Sequence, residues 1–204
     1  MLTLIVGQYH EPVAARAAEI ASTLRANLEN SAFDRVIVVV EDELCSSPPS
    51  RVDDERCKHV FLGQRMTYAH AFELAHAPRW WGGTFVLANS DIEFDHSVEY
   101  ARHVPRGALW CVTRTEWTGK LAWNPDKTQD AWIFRAPLPR FPCPFKLGVP
   151  GCDNRLAFEA HRAGLALANP ARRIRALHRH DSAVRRVNSV YGGSLLGVPL
   201  DPPD

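Results

Sequence analysis

The sequence predicts a single α/β domain with a mostly parallel central sheet and an irregular, partly antiparallel second half. Two continuous apolar runs, residues 2–6 and 36–40, have the composition of strands that are covered on both faces. Between them, apolar residues recur at helical spacing over residues 14–28. This β-α-β order implies a parallel strand pair with a right-handed crossover. Residues 117–150 are rich in Trp, Phe, Pro and Gly, which is typical of loops and short antiparallel strands.

The remaining elements are predicted from the same patterns. Asp95 can cap a helix that continues to about residue 102, and Gly164 can close a helix that begins near Asp153. The tail from residue 198 is expected to be frayed. The other predicted strands are residues 57–61, 84–88, 108–113, 165–168 and 174–177, and the other predicted helix is residues 67–77.

Composition narrows the class of protein. The 204 residues suffice for one well-packed domain, and their formal net charge of +1 predicts no polyanionic partner for the chain as a whole. Residues 155–186, however, contain eight Arg against only Glu159 and Asp181. This stretch predicts either a basic surface for phosphate groups or a solvated helix face.

The chain shows no signal for a membrane or an oxidising compartment. Its apolar N-terminal run is too short for the core of a signal peptide, and no run approaches the roughly 20 residues that span a bilayer. The five cysteines include no CxxC pair, which argues against a disulfide framework or a structural zinc site. We therefore expect a cytoplasmic protein without a membrane anchor.

Polar residues follow four of the predicted strands: Gln8 and Tyr9, Glu41 and Asp42, Asn89 to Asp91, and Thr113 with Arg114. Ligands of open α/β sheets bind beyond the carboxyl ends of the strands, so these residues predict a binding site. Asp91 offers a hard oxygen ligand for Mg²⁺ or Mn²⁺. The alternative is that residues 89–91 form a turn and Asp95 only caps a helix.

Several segments resemble a family of small bacterial, phage and eukaryotic proteins classed as glycosyltransferases with a GT-A fold. Residues 87–95 are similar to its Asn-x-Asp-Ile-x-Phe-Asp segment. Residues 65–68, 129–134 and 147–154 carry further shared motifs, and Asn169-Pro170 followed by His178-Arg-His180 completes the order. The resemblance covers roughly residues 1–186. It implies one Rossmann-like GT-A domain over residues 1–197, with a nucleotide-sugar half (1–114), an acceptor and catalytic half (115–190) and a flexible tail (198–204).

The resemblance also implies roles for individual residues. Asp91 matches the last acid of a DxD-type metal motif, whereas position 89 is Asn, which leaves one charge fewer on the metal. Asp153 matches the base of inverting enzymes, although it could instead be only a helix N-cap, and Asp130 is the rival base or an acceptor-binding group. The Mn²⁺ or Mg²⁺ ligands would be Asp91, His178 and His180. The donor-binding residues would be Gln8, Tyr9, Glu41, Arg65, Asn89, Ser90, Asp91 and Arg185, and the acceptor-binding residues would be Gln129, Trp132 and Asn154.

The implied activity is transfer of a sugar from a nucleotide-diphosphate sugar to an acceptor hydroxyl, with inversion. The acceptor stays open between a hydroxymethylated base in DNA and a small sugar, a protein or a metabolite. Trp117, Trp123 and Trp132 lie in the irregular half, where an acceptor would bind. Two other classes compete: a non-catalytic nucleotide-sugar-binding protein and a metal-dependent phosphoesterase.

Overall fold

The apolar runs of the sequence become the central strands of one mixed sheet. The computed structural model describes residues 1–42, 55–78, 82–180 and 190–202. Within these ranges the strands are β1 (Leu2–Gln8), β2 (Arg35–Val40), β3 (Cys57–Phe61), β4 (Thr84–Ala88), β5 (Ile92–Phe94), β6 (Ala108–Glu116), β7 (Gln129–Arg135), β8 (Ala166–Ala168) and β9 (Ala176–His178). The helices are α1 (Ala14–Glu29), α2 (Tyr68–His76) and α3 (Cys152–Arg162), with 3-10 helices at His96–His103 and Pro125–Lys127.

Strand order in the sheet is β3-β2-β1-β4-β7-β6-β9-β5, and β8 pairs with β6. β1 pairs in parallel with β2 and β4, and β2 pairs in parallel with β3. β7 is antiparallel to both β4 and β6, so β6 runs in the same direction as β4. β8 and β9 are parallel to β6, whereas β5 is antiparallel to β9. The predicted α/β class, with a mostly parallel sheet and antiparallel pairing in the second half, is confirmed.

Both faces of the sheet are covered, which explains why its central strands are apolar without alternation. One buried cluster joins one sheet face to Leu24 and Leu28 of α1 and to the 3-10 helix His96–His103. The other cluster joins the opposite face to Phe72 of α2 and Leu156 of α3. Helices on both faces of one sheet form the three-layer arrangement that the β-α-β pattern predicts.

The structure differs from the predictions at three places. The segment after Asp95 is a 3-10 helix, although Asp95 caps it as expected by accepting a hydrogen bond from the Ser97 amide (2.9 Å). β6 continues past residue 113 to Glu116, beyond a bulge between Val112 and Thr113. β5 has no counterpart among the predicted strands, because a three-residue strand is too short to show a period.

The segment 190–202, expected to fray from residue 198, lies against the domain. Val198 is buried and its amide donates to the Asp126 carbonyl (2.8 Å). The Asp201 amide donates to the Asn169 carbonyl, and the Asp201 carboxylate accepts from the Asn169 amide, both at 3.0 Å. Hydrogen bonds to a buried Asn, which the local sequence does not signal, hold this segment in place.

Among the described residues, no helix combines the length and the apolarity that a membrane span requires.

Candidate metal centre and active-site cleft

The polar ends of the parallel strands meet at one edge of the sheet. β1, β2, β4 and β6 all end there, and β7, which runs the opposite way, begins there. A cleft of about 690 Å³ lies along this edge. Its wall includes most of the residues predicted from the sequence: Tyr9, Glu41, Arg65, Asn89, Ser90, Asp91, Gln129, Asp130, Asp153, Asn154, His178 and His180.

Asp91, His178 and His180 form a candidate metal centre in this cleft. One ligand atom from each lies within 4.8 Å of the other two. The Asp91 Oδ2 is 3.3 Å from the His178 Nε2 and 3.9 Å from the His180 Nδ1. The His180 Nε2 is buried and has no hydrogen-bond partner among the described residues. The structure thus brings together the three residues for which the resemblance implied metal binding.

Pairing of β5 with β9 brings these residues together. Asp91 lies in the turn before β5, and β9 ends at His178, which is directly opposite Ile92 in the register. The Arg179 amide then donates to the Asp91 carbonyl (2.9 Å). The buried Asn27 of α1 holds β5 by donating to the Ile92 carbonyl (2.8 Å) and accepting from the Phe94 amide (2.9 Å). Residues far apart in the sequence therefore meet through a short strand pair.

The donor set fits a divalent transition metal. Carboxylate oxygen suits Mg²⁺ and Mn²⁺, whereas imidazole nitrogen suits softer ions such as Fe²⁺ and Zn²⁺. Mg²⁺ prefers oxygen ligands and retains several waters. Asp91 with the two histidines therefore suits a divalent cation.

Charge at the centre is concentrated on Asp91. Its burial favours the neutral acid, but hydrogen bonds from His178 and His180 outweigh that effect, and the pKa of Asp91 lies far below its usual range. Burial disfavours the charged form of His178, yet its hydrogen bond to Asp91 raises the pKa of His178 overall. Arg16 of α1 also forms an ion pair with the Asp91 Oδ2. Asp91 is therefore ionised and able to bind a cation.

Asp153 lines the same cleft and lies in the first turn of α3. Its Oδ2 accepts a hydrogen bond from the Gln129 amide (3.2 Å). Burial raises the pKa of Asp153 to about 6, with a further contribution from the negative charge of Asp130. The helix cap is Gly151 at φ 81°, so the alternative role of Asp153 as an N-cap is wrong. A Cβ at Gly151 would lie 2.6 Å from the Tyr191 carbonyl oxygen, so that position requires glycine.

Asp130 and Asn89 are bound to each other. The Asn89 Nδ2 donates to the Asp130 Oδ1 (2.6 Å), and an Arg114 Nη1 donates to the Asp130 Oδ2 (3.1 Å). Burial raises the pKa of Asp130, and the charge of Arg114 opposes that effect. The Asn89 amide group is thus engaged with Asp130. The amide oxygen of Asn89 is not part of this contact, and its role at the donor stays a prediction.

Most of the predicted donor residues line the cleft, one is buried away from it, and one lies outside the described residues. Arg65 contacts the Glu41 carboxylate (3.1 Å) and the Leu147 carbonyl (2.9 Å), and it stacks over the Tyr9 ring (4.8 Å). Ser90 is tied to the Gly7 carbonyl (2.7 Å). These residues line the cleft, and their contact with a donor stays a prediction. Gln8 is buried and does not line the cleft, so the expected direct role is wrong, and Arg185 lies outside the described residues.

The predicted acceptor residues also separate. Trp132 is fully buried in the core, edge-on to the Tyr68 ring at 4.7 Å, so its assignment to acceptor binding is wrong. As a central strand residue of β7 it faces α2 rather than solvent. Gln129 and Asn154 line the cleft but hold each other, the Asn154 Nδ2 donating to the Gln129 Oε1 (3.3 Å). They position Asp153, and acceptor contact by them stays a prediction.

Besides Glu116, whose Oε2 lies 3.3 Å from the His178 Nδ1, the sequence analysis missed Arg16. It is 7% exposed and shares the buried stripe of α1 with Ile20, Thr23 and Asn27. A charged side chain on the apolar stripe of an amphipathic helix is a signal of a buried ionic contact, since Arg is seldom fully buried without a partner. The helical spacing of residues 16, 20, 23 and 27 could have identified it.

Comparison with known proteins gives no family assignment. No model of a protein family matches this chain, and no curated protein matches it. Two solved structures are similar to part of this chain. The first is 4-diphosphocytidyl-2C-methyl-D-erythritol synthase from Anaerococcus prevotii, at 13% identity and a TM-score of 0.44, covering 66% of this chain and 69% of the other. The second is S. aureus TarS 1–349 in complex with UDP-GlcNAc, at 12% identity and a TM-score of 0.42, covering 66% of this chain and 45% of the other.

Proposed function

We propose that this protein is a glycosyltransferase that moves a sugar from a nucleotide-diphosphate sugar to an acceptor hydroxyl. The observation that carries the proposal is that Asp91, His178 and His180 share one cleft with Asp153, a buried carboxylate with a raised pKa. When a hydroxyl displaces a diphosphate, a base can take the proton of the hydroxyl and a bound cation can stabilise the departing diphosphate. The family resemblance over residues 1–186 supports the same activity.

Each group has a defined part in the reaction. Mn²⁺ held by Asp91, His178 and His180 would supply positive charge to the departing diphosphate. Asp153 takes the proton of the acceptor hydroxyl as its oxygen bonds to the anomeric carbon. The bond from that carbon to the diphosphate oxygen breaks with its electron pair, and the nucleoside diphosphate leaves. A single displacement of this kind inverts the anomeric configuration.

Asp153 suits the base better than Asp130 does. Both oxygens of Asp130 are engaged, one by Asn89 and one by Arg114. The guanidinium holds its proton throughout the physiological range and favours the ionised carboxylate. Asp153 has a pKa of about 6. None of the ion pairs among the described residues joins it to an arginine. A base whose pKa lies close to the operating pH transfers protons most efficiently.

A thermal-shift screen of nucleotide-diphosphate sugars, with and without Mn²⁺, tests the proposed activity. A ligand that binds only the native state adds about 2.7 kcal/mol of stability at a hundred times its dissociation constant. We expect one class of donor to raise the melting temperature only when Mn²⁺ is present. Absence of a shift with every donor, with and without Mn²⁺, would contradict the proposed function.

An exposed surface beside the cleft suggests a nucleic-acid acceptor. Trp123 is 96% exposed and Trp117 is 51% exposed, with the Arg179 guanidinium 4.2 Å from the Trp117 ring centre. The Arg175 Nη2 lies beside Gly119, 3.6 Å from the place that a Cβ would take at that glycine. Aromatic faces and arginines together bind unstacked bases and their phosphates. Arg179 is paired with Glu93, which leaves Arg175 as the arginine that we assign to a phosphate. Within the proposed activity, we propose a hydroxymethylated base in DNA as the acceptor, with a small sugar, a protein or a metabolite as the alternative.

Binding of a DNA oligonucleotide should weaken steeply with salt. Three phosphate contacts would lower the affinity roughly 40-fold between about 50 and 200 mM salt. Arg175→Ala should reduce the slope of log affinity against log salt by about 1, whereas Trp123→Ala should weaken binding without changing that slope. Fluorescence anisotropy at several salt concentrations measures both. A flat salt response would remove DNA as the acceptor and leave a small sugar, a protein or a metabolite.

A further inference from the structure

Arg16 holds the same Asp91 oxygen that a metal ion would need. Its Nη2 forms the ion pair with the Asp91 Oδ2. That oxygen is also the one nearest the His178 Nε2, at 3.3 Å, and the His180 Nδ1, at 3.9 Å. A guanidinium and a divalent cation on one carboxylate oxygen repel each other, so the two cannot share it at full strength. Each cation therefore weakens the binding of the other at this oxygen.

Two further contacts keep Arg16 at the cleft when it is not on Asp91. Its Nη1 donates to the Glu19 Oε2 (2.8 Å) on the same helix and to the Arg179 carbonyl (3.0 Å). Arg179 lies between the two histidines, so this bond links Arg16 to the strand end that carries them. Arg16 also lines the cleft wall. A guanidinium released from Asp91 therefore stays where an anionic ligand can reach it.

We infer that Arg16 is a resident counter-cation of Asp91 that competes with the divalent ion and makes metal binding depend on an anionic donor. This inference rests on the metal centre of the proposed function. Without a diphosphate, Arg16 neutralises Asp91 and the metal affinity is low. With a diphosphate in the cleft, Arg16 gains phosphate oxygens in place of the carboxylate, and the ion takes its position on Asp91. Metal and diphosphate then bind cooperatively.

Titration with Mn²⁺ alone, followed by calorimetry or by the electron paramagnetic resonance of the free ion, tests the competition. Arg16→Gln should lower the dissociation constant for Mn²⁺ at least tenfold. Arg65→Gln is the matched control, because it also neutralises an arginine of the cleft but one that pairs with Glu41. In this control, the loss of one positive charge should change the dissociation constant for Mn²⁺ less than threefold.

A second measurement tests the cooperativity. The probe is inorganic pyrophosphate, whose affinity is measured with and without saturating Mn²⁺. The ratio of the two affinities should be at least tenfold larger in the native protein than in Arg16→Gln. Formation of the Mn²⁺–pyrophosphate complex in solution is common to both proteins and cancels in that comparison. Reciprocity requires that pyrophosphate raise the Mn²⁺ affinity by the same factor.

Arg16→Met keeps the aliphatic stem packed and carries the same test if Arg16→Gln does not fold. The inference is overturned if both variants bind Mn²⁺ within threefold of the native protein, if Arg65→Gln matches their effect, or if no variant binds Mn²⁺ at millimolar concentration. Failure of sugar transfer would test the proposed function and not the competition between Arg16 and the metal ion. A protein whose Mn²⁺ affinity rises on loss of Arg16, but which transfers no sugar, would refute the proposed function and leave the competition intact.

Discussion

Asp153→Asn is expected to lower the rate of sugar transfer about 10³-fold, because a general base contributes roughly 10²- to 10⁴-fold and the amide cannot accept the proton. Donor binding should be unchanged, since Asp153 is not among the candidate metal ligands. In the native enzyme kcat/KM should fall about tenfold per pH unit below the pKa of Asp153, which is about 6. Initial rates of transfer from about pH 4.5 to 8 measure both effects.

The same substitution should stabilise the fold at neutral pH. The pKa of Asp153 is raised in the folded state, so folding is penalised once the carboxyl ionises above its unfolded pKa. The penalty is absent below about pH 4, develops between about pH 4 and 6, and is on the order of 2 kcal/mol at pH 7. The amide introduced at position 153 retains an oxygen that can accept from the Gln129 amide. The difference in free energy of unfolding should therefore grow as pH rises through this window.

Two outcomes would contradict the role of Asp153. In a non-catalytic nucleotide-sugar-binding protein, Asp153→Asn would have no turnover to remove and would leave donor binding unchanged. If Asp130→Asn lowered the rate more than Asp153→Asn, the base would be Asp130. Asp126→Asn, in the exposed 3-10 helix before β7, is the control for loss of a carboxylate near the cleft. It should change neither the rate nor the stability beyond about 0.5 kcal/mol.

Asp91→Asn is expected to weaken Mn²⁺ binding by more than roughly 100-fold, because even residues that only orient a metal's ligands contribute about tenfold to a hundredfold. It removes the charged oxygen that His178 and Arg16 contact. Stability should also fall, by about 2 kcal/mol, since hydrogen bonds to a charged group are lost. Arg16 keeps Glu19 as a partner, which limits this loss. Calorimetric titration with Mn²⁺ and chemical denaturation measure the two effects.

Asn89→Asp provides the contrast. If position 89 were a metal ligand, a carboxylate there would restore the second acid of the motif and tighten Mn²⁺ binding. The structure places the Asn89 amide 2.6 Å from the Asp130 carboxylate, so the substitution opposes two acids instead. We expect no gain in Mn²⁺ affinity and a loss of about 1 to 3 kcal/mol of stability. A tenfold gain in affinity would show that Asn89 faces the ion.

A metal-dependent phosphoesterase is the remaining class, and the site argues against it. Such an enzyme would need a denser acidic cluster than this cleft provides. Asp130 is committed to Asn89 and Arg114, and among the described residues the group suited to a metal is Asp91 with two histidines. Hydrolysis of a nucleotide-diphosphate sugar faster than transfer to any supplied hydroxyl would nevertheless favour that class.

Local patterns in the sequence were sufficient to predict most of the elements. The apolar runs of β1, β2 and β4 reflect burial on both faces, and the periodicity of α1 reflects burial on one. The cleft was predictable for the same reason, because parallel strands place their polar ends at one edge. Asp91 and Asp153 were found there, although their roles came from the family resemblance.

The sequence by itself determines the α/β class, the parallel strands and the Asn89-Ser90-Asp91 turn at a strand end, because local periodicity and turn chemistry encode these features. Only the tertiary structure decides what each polar group faces. Trp132 turned inward because β7 lies at the centre of the sheet. Asn89 faced Asp130, and Arg16 reached Asp91 from a different element. Such contacts depend on strand order and on β5 pairing with β9. Long-range pairing of this kind produces no periodic pattern in the sequence.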